Sequence, residues 1–462
     1  MASSSAQQWV DDDLSTLDLG DERRNRRARQ MIEGFAQRPG ASLTTVFEDR
    51  AEIAAGYRLL NNDAVAPDQI RAALQRGTVG RLADVEVVLV PQDTTCLDFR
   101  GHPATAGLGP TGGPNGSGHG LFVHSALAVS AEGVPLGLLQ QQDWARDPAQ
   151  AGSKHQRKQR RFEDKESYRW LHTVQAVEAA VPDDKLLIQI ADRESDIYEV
   201  LAAPRRAGSH VLIRAYRERR LEDEGARLWP TVEAQPVAQE FELLVHEGPQ
   251  RTERKAQLQL RFCLVTLRPP KNGVHDPALE PITVTAIEVR ESDAPEHATP
   301  ILWRLLTDLP VDDVADARQC VHYYERRWLI ERFHFTLKGG CHIEESQLRT
   351  MAALERLLAL LSAVALRLLW MTYSARVHPH APCTVAFTDA EWRVLYRYYN
   401  AQAPPDQPPT LSEAVLWLAR LGGFMGRKGD GEPGVKVLWR GILRLHDLVA
   451  GFLLAHPDVC NA

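Results

Sequence analysis

Two aspartates follow short apolar runs, Val87-Val88-Leu89-Val90-Pro91-Gln92-Asp93 and Leu186-Leu187-Ile188-Gln189-Ile190-Ala191-Asp192. Runs this short and this rich in Val, Ile and Leu predict strands buried on both faces, with Asp93 and Asp192 at their ends. A carboxylate there is costly unless it is paired, hydrogen-bonded or bound to a cation. Two on neighbouring strands would also repel each other. A divalent cation removes that conflict, and hard oxygen donors suit Mg²⁺ or Mn²⁺. The alternative is that each aspartate caps the helix or turn that follows it.

A third acidic candidate, Glu331, lies between Pro310 and Gly340, a stretch that reads as one helix. Asp312 and Asp313 suit its first turn, and Gly339-Gly340 suit its stop. At helical pitch Tyr324, Arg327, Glu331 and Lys338 fall within a sector of roughly 60°. Val321, Trp328 and Phe335 border or share that sector, so the helix has no wholly polar face. A partly buried ion-pair set would account for the charges, but not for two cations, a carboxylate and a phenol aimed one way. His322, His334 and His342 lie nearby. Their spacing fits neither HExxH nor a zinc pair on one helical face.

The elements that must position these groups change character along the chain. Residues 1–78 read as helical: Met31, Ile32 and Phe35 recur at helical spacing, and Gly40 and Pro67 supply breaks. From about residue 79 to 370 the pattern is α/β. Strand runs bracket a glycine-rich loop from Gly101 to Gly120, a hairpin turns at Glu132-Gly133, and a helix spans Glu166–Ala180. Between about 209 and 308 nearly everything reads as strand, a β-subdomain inserted in the α/β core. Helical periodicity then returns, and a Pro/Gln/Asp-rich stretch near Ala403–Pro409 sets off the last piece of a helical region at 371–462.

The 462 residues carry a formal charge of −7, which argues against a nucleic-acid partner only if charge is evenly spread. It is not. Positive charge is gathered in three blocks: Arg23, Arg24, Arg26, Arg27 and Arg29; Lys154, Arg157, Lys158, Arg160 and Arg161; and Arg214, Arg217, Arg219 and Arg220. Phosphate contacts are local, because charges are screened beyond about 10 Å. Six scattered cysteines with no CxxC pair predict reduced thiols and a cytoplasmic location. The most apolar run, Leu357 to Met371, is interrupted by Arg367 and is too short to span a bilayer, so a buried helix and no membrane partner are expected.

With these residues laid out, Tyr324-x2-Arg327-x3-Glu331-x6-Lys338 resembles the Y-R-E-K signature of the insertion-sequence 4 family of DDE transposases. QDTT at Asp93, DRESDIY at Asp192 and the VHSALAVS hairpin between them resemble the family's stretches in the same order. Trp303 in LWRLLTDLPV resembles a family tryptophan, and LGDERRNRRARQ and PGASLTTVFEDRAEIAAGYRLLNN resemble its transposon-end-binding domain. The resemblance runs from about Trp9 to Leu369. It implies an RNase H-like core interrupted by a β-subdomain. It also implies a triad of Asp93, Asp192 and Glu331 holding two Mg²⁺ ions, with Mn²⁺ able to substitute. One ion would activate a water or 3′-hydroxyl and the other would stabilise the leaving oxygen. Tyr324, Arg327 and Lys338 would contact phosphates near the cut. Trp303 would stack a base flipped out during a hairpin intermediate, an aromatic contact worth about 1–3 kcal/mol. Arg23, Arg24 and Arg27 would touch the transposon ends, and Arg214 and Arg217 would add further DNA contacts. Cutting two ends together implies a homodimer on double-stranded DNA, transposon ends and target alike. A catalytically silent DNA-binding regulator and a stand-alone nuclease are the competing functions.

Overall fold

The computed structural model describes residues 5–112, 118–147, 159–245, 254–271, 278–427 and 429–455. Of the second basic block, Lys154, Arg157 and Lys158 lie outside the described residues. The chain forms two compact units, each discontinuous in sequence. One contains Met1–Val85, Thr94–Ala151 and Leu329–Ala462; the other contains Glu86–Asp93 and Gly152–Trp328.

The first unit opens with helices α1 (Ser5–Asp13), α2 (Glu22–Gln37), α3 (Leu43–Val46), α4 (Arg50–Leu60) and α5 (Pro67–Gly80). Local chemistry starts them. Asp21 and Asp49 accept the amides of Arg23 and Ala51 as N-caps, and Pro67 occupies the first turn of α5. Ala28, Met31, Ile32 and Phe35 form the buried stripe of α2, as their spacing predicts. Gly40 takes the left-handed backbone (φ +78°) at the expected break.

Strand β1 (Val87–Asp98) enters this unit with its second half, beside β3 (Gly118–Ser130). β3 turns at Gly133 (φ +101°) and pairs antiparallel with β4 (Pro135–Trp144). The glycine-rich stretch expected as loop contains a strand, β2 (Gly109–Gly112), paired with β3. The glycines there are close-packing positions: a Cβ on Gly120 would collide with the Leu97 carbonyl, and one on Gly118 with that of Gly112.

A seam of hydrogen bonds joins α5 to β4. Gln75 donates to the Leu139 carbonyl at 2.6 Å, Arg81 to that of Leu136 at 2.6 Å, and Arg71 pairs with Asp143. The apolar run becomes the buried helix α11 (Met351–Val377), whose Arg356 donates to the carbonyls of Val65 (2.7 Å) and Leu60 (2.9 Å). Among the described residues no helix is long and apolar enough to cross a membrane. The last helices are α12 (Asp389–Asn400), α13 (Leu411–Leu421) and α14 (Val435–Ala455). Thr388 with Glu391 and Thr410 with Glu413 form capping boxes, and Trp392, Leu395, Leu418 and Leu438 form the core.

In the second unit the first half of β1 pairs in parallel with β5 (Leu186–Ala191), and β5 pairs in parallel with β6 (Ser209–Arg214). The sheet continues through β10 (Leu302–Thr307), β9 (Ile282–Glu291), β8 (Arg254–Leu267) and β7 (Gln239–Val245). The strand-rich block is therefore not a separate sheet, because β10 hydrogen-bonds to β6 on one side and β9 on the other. Helices α6 (Tyr168–Ala180), α7 (Tyr198–Ala202) and α8 (Leu228–Glu233) accompany it, and Trp170, Tyr198, Leu228 and Trp229 share its core.

Two expectations need correction. Asp93 does not end a strand. β1 runs on to Asp98, because it also has β3 as a neighbour, while its ladder with β5 ends at Pro91 and β5 stops at Ala191. Nor is 310–340 a single helix. Asp313 caps α9 (Val314–Glu325), and α10 (Trp328–Gly339) is a second helix. The N–H groups of Arg326 and Arg327 reach back only three residues, to Tyr323 and Tyr324, so the last turn tightens and the helical ladder ends. The 60° sector was drawn for an unbroken helix.

Candidate active site

The parallel ladder between β1 and β5 is the foundation of the site. Its last paired positions are Pro91 and Ile190, so Asp93 and Asp192 each lie two residues further on along adjacent strands. Side chains two residues apart on a strand share a face. Asp93, within β1, and Asp192, just past the end of β5, thus stand at equivalent distances beyond the shared ladder.

Asp192 opens a short 3₁₀ turn, Arg193–Ser195, where its Oδ1 accepts the Glu194 amide at 2.8 Å. The capping role foreseen as an alternative is therefore real for Asp192, and it leaves acceptor capacity on the carboxylate for a cation. Asp93 faces the guanidinium of Arg327 at 3.8 Å, with both side chains largely buried.

Arg327 belongs to a cluster built from the end of α9 and strands β6 and β10. Tyr324 is only 4% exposed, and burial pushes its phenol pKa up, while Arg327 and Arg214 nearby pull it back. The Arg214 guanidinium approaches the buried phenol oxygen without closing a well-formed hydrogen bond, and donates instead to the Leu302 carbonyl at 2.9 Å. Burial lowers the pKa of Arg214, and the phenol beside it opposes that shift. Arg193 adds a third guanidinium to this field. Trp303, on β10, is half-buried and meets Tyr324 edge-on, ring centroids 5.8 Å apart. It is thus not a core tryptophan of the sheet.

Three guanidiniums around two carboxylates and a phenol make a local positive excess, which suits a phosphodiester. Among the described residues no three His, Cys, Asp or Glu are grouped to hold a metal ion. The chemistry of the donors present still fits one. Asp93 and Asp192 are adjacent hard oxygen ligands, the kind that Mg²⁺ and Mn²⁺ accept.

Glu331 and Lys338 stand on α10 in the other unit. There Lys338 donates to the Cys96 carbonyl of β1 at 2.5 Å and lies 3.8 Å from Glu344, which accepts the Asp98 amide at 2.8 Å. The histidines hold ordinary places. His322 and His342 pair with Glu325 and Glu345, and burial drives the pKa of His334 down to about 3, so it is neutral.

The arginine blocks are not uniform. Arg23 is open to solvent and pairs with its capping Asp21, and Arg26 is exposed. Arg24 donates to the Leu19 carbonyl at 3.1 Å, and Arg27 lies 4.0 Å from Glu52 and over the Phe47 ring. In the third block Arg217 is exposed beside Tyr216, whereas Arg219 is buried against Asp196. Neither Arg193 nor Asp196 was singled out from sequence. Their one signal was that DRESD packs four charged residues directly after a buried strand.

Three family models match the chain: Transposase DNA-binding over residues 6–65, Transposase DDE domain over 167–368, and Transposase Tn5 dimerisation domain over 363–457. The DDE match covers Asp192, Arg214, Arg217, Trp303, Tyr324, Arg327, Glu331 and Lys338; Asp93 lies before it. It identifies the mixed sheet as an RNase H-like core, flanked by helical regions that bind DNA and dimerise. Together the three models match the chain to a Tn5-like DDE transposase of the insertion-sequence 4 family.

Proposed function

We propose that this transposase works by cut-and-paste: it binds the inverted-repeat ends of its element, cleaves them through a hairpin intermediate and joins them to target DNA. The end-binding part would be residues 1–78. The catalytic part would be 79–370, with the strand-rich block at 209–308, and the dimerising part 371–462. The observation that carries this reading is that Asp93, on β1, and Asp192, just past the end of β5, each lie two residues beyond the last pair of one parallel ladder, beside Arg327, Arg214 and Tyr324.

DDE domains use divalent metal ions. Here Asp93, Asp192 and Glu331 would hold two Mg²⁺, with Mn²⁺ as a substitute. When bound, the ions supply Lewis-acid stabilisation of phosphoryl oxygens and a nucleophile at neutral pH. The chain's own groups do the rest. Arg327 and Arg214 bring fixed positive charge to the phosphate, and the Tyr324 hydroxyl, kept protonated by burial, donates a hydrogen bond. Lys338 holds its ammonium at β1, three residues beyond Asp93. Trp303 offers the exposed part of its ring to an unstacked base. Arg23, Arg24, Arg27 and Arg217 contribute backbone contacts further out.

The test is Glu331→Ala. Mg²⁺-dependent nicking at the inverted-repeat ends should vanish, with end binding intact. Cleavage that persists would remove Glu331 from the triad.

A further inference from the structure

The second aspartate of the DRESD stretch, Asp196, has no surface exposure at all. One of its carboxylate oxygens accepts two backbone amides, those of Tyr216 (3.0 Å) and Arg217 (2.9 Å). The other oxygen takes the Arg219 guanidinium, whose own pKa burial lowers. The peptide after β6 is held from its far side too, because the Trp229 indole N–H donates to the Arg217 carbonyl at 3.1 Å. Both polar backbone groups of Arg217 are thus occupied by buried partners. The side chains carried by this fixed backbone point the other way: Tyr216 is 58% exposed, and the Arg217 guanidinium sits 5.7 Å from its ring.

Exposed loops do not need a fully buried carboxylate to hold them, and burying one costs free energy unless every lone pair is satisfied. Here it is satisfied by the two amides whose residues present a cation and an aromatic ring to solvent. The same carboxylate sits four residues after Asp192, on the turn that Asp192 caps. We infer that Asp196 is a positioning residue. It locks the Tyr216–Arg217 pair in register with Asp192, so that the strand passing the metal-binding carboxylates is gripped at a fixed distance from them. The partner is a DNA strand: the ring stacks on a base or sugar and the guanidinium pairs with a phosphate. This rests on the reading of Asp192 and Arg217 given above.

The experiment is a double-mutant cycle on the full-length protein. It uses a labelled duplex taken from the DNA flanking the coding region, with Mg²⁺ present. The clamp is removed as a charge-neutral pair, Asp196→Ala/Arg219→Ala, and Arg217→Ala is made in both backgrounds. Cleavage should slow on the order of ten- to a hundredfold in the clampless protein, the usual effect of an ångström of misplacement. Arg217→Ala should then cost nothing further, because the side chain it removes is no longer aimed. Asp196→Asn/Arg219→Gln keeps an acceptor for both amides and should restore most of the rate. If Ala/Ala fails to fold, the volume-matched Asp196→Leu/Arg219→Met takes its place in the cycle. Wild-type cleavage by the folded clampless protein would overturn the inference. So would a loss from Arg217→Ala that is equal in both backgrounds. Asp192→Ala serves as the control: cleavage by that variant would overturn the reading of the site and not the clamp.

Discussion

Two of the buried arginine–carboxylate clusters among the described residues are balanced differently. In one unit Asp196 faces Arg219 and two amides, so one negative charge meets one positive charge and spare donors. In the other, Asp143 pairs with Arg71 on α5 and also faces Glu355 on α11, so one acid stands against another beside Arg71. Burial and the Asp143 carboxylate push the Glu355 pKa up to about 7, against the pull of Arg71 and Arg356. Around them Asp68 pairs with Arg71 and Asp63 with Arg356, both from exposed positions. Whether a buried cluster is a fixed brace or a titrating contact is decided by counting donors against acids, not by burial alone.

The largest expected effect comes from unbalancing the balanced cluster. Arg219→Ala should destabilise the fold by about 3–5 kcal/mol, because it leaves Asp196 charged and buried with only amide partners. Denaturant unfolding measures this, and a loss below about 1 kcal/mol would place Arg219 with ordinary surface pairs. The unbalanced cluster should show itself in pH. Glu355 holds its proton more tightly folded than unfolded, so stability falls as pH rises from the ordinary glutamate range through about 7, and then levels off. In Glu355→Gln that component should be absent. Melting midpoints of the two proteins between pH 5 and pH 8, on the order of three pH units that span the raised value, should diverge accordingly; parallel curves would show that the pair does not share a proton. The smallest effect belongs to a pair whose cation is open to solvent. Arg23 and Asp21 meet at 2.8 Å on the surface of α2. Arg23→Ala should leave the melting midpoint unmoved and lower the salt dependence of end binding by about one unit of slope.

How much of this could be read in the sequence depended on range. The buried strands, the helical ends and the turn at Gly133 follow from patterns of a few residues, and the structure has them where composition placed them. Two buried neighbouring strands in a mixed sheet were legible from two short apolar runs, but their parallel pairing was not, since a hairpin and a helix lie between them. The break at Arg326-Arg327 was hidden, because apolar spacing stays helical on both sides of it. The strand at Gly109–Gly112 was hidden by its glycines, which suit a loop as well as a tightly packed sheet. The Asp196 clamp joins residues about twenty apart through backbone amides, and no side-chain pattern reports which amides a carboxylate will find. Glu331 remains singled out by the Y-R-E-K spacing, since its neighbours on α10 do not distinguish it.

The seam between α5 and β4 bears on modularity. α5 gives up side-chain donors to the carbonyls of Leu136 and Leu139 and an ion pair to Asp143, and Arg356 of α11 anchors the loop that leads into it. A fragment ending at residue 78 would carry Arg71 and Gln75 into water without their acceptors, and would leave Arg81 behind. A graft of the end-binding helices onto another scaffold is therefore cleaner when the chain is cut in the loop before Pro67, where the match to the transposase DNA-binding model also stops, at residue 65. α5 then stays behind as part of the core that it seals.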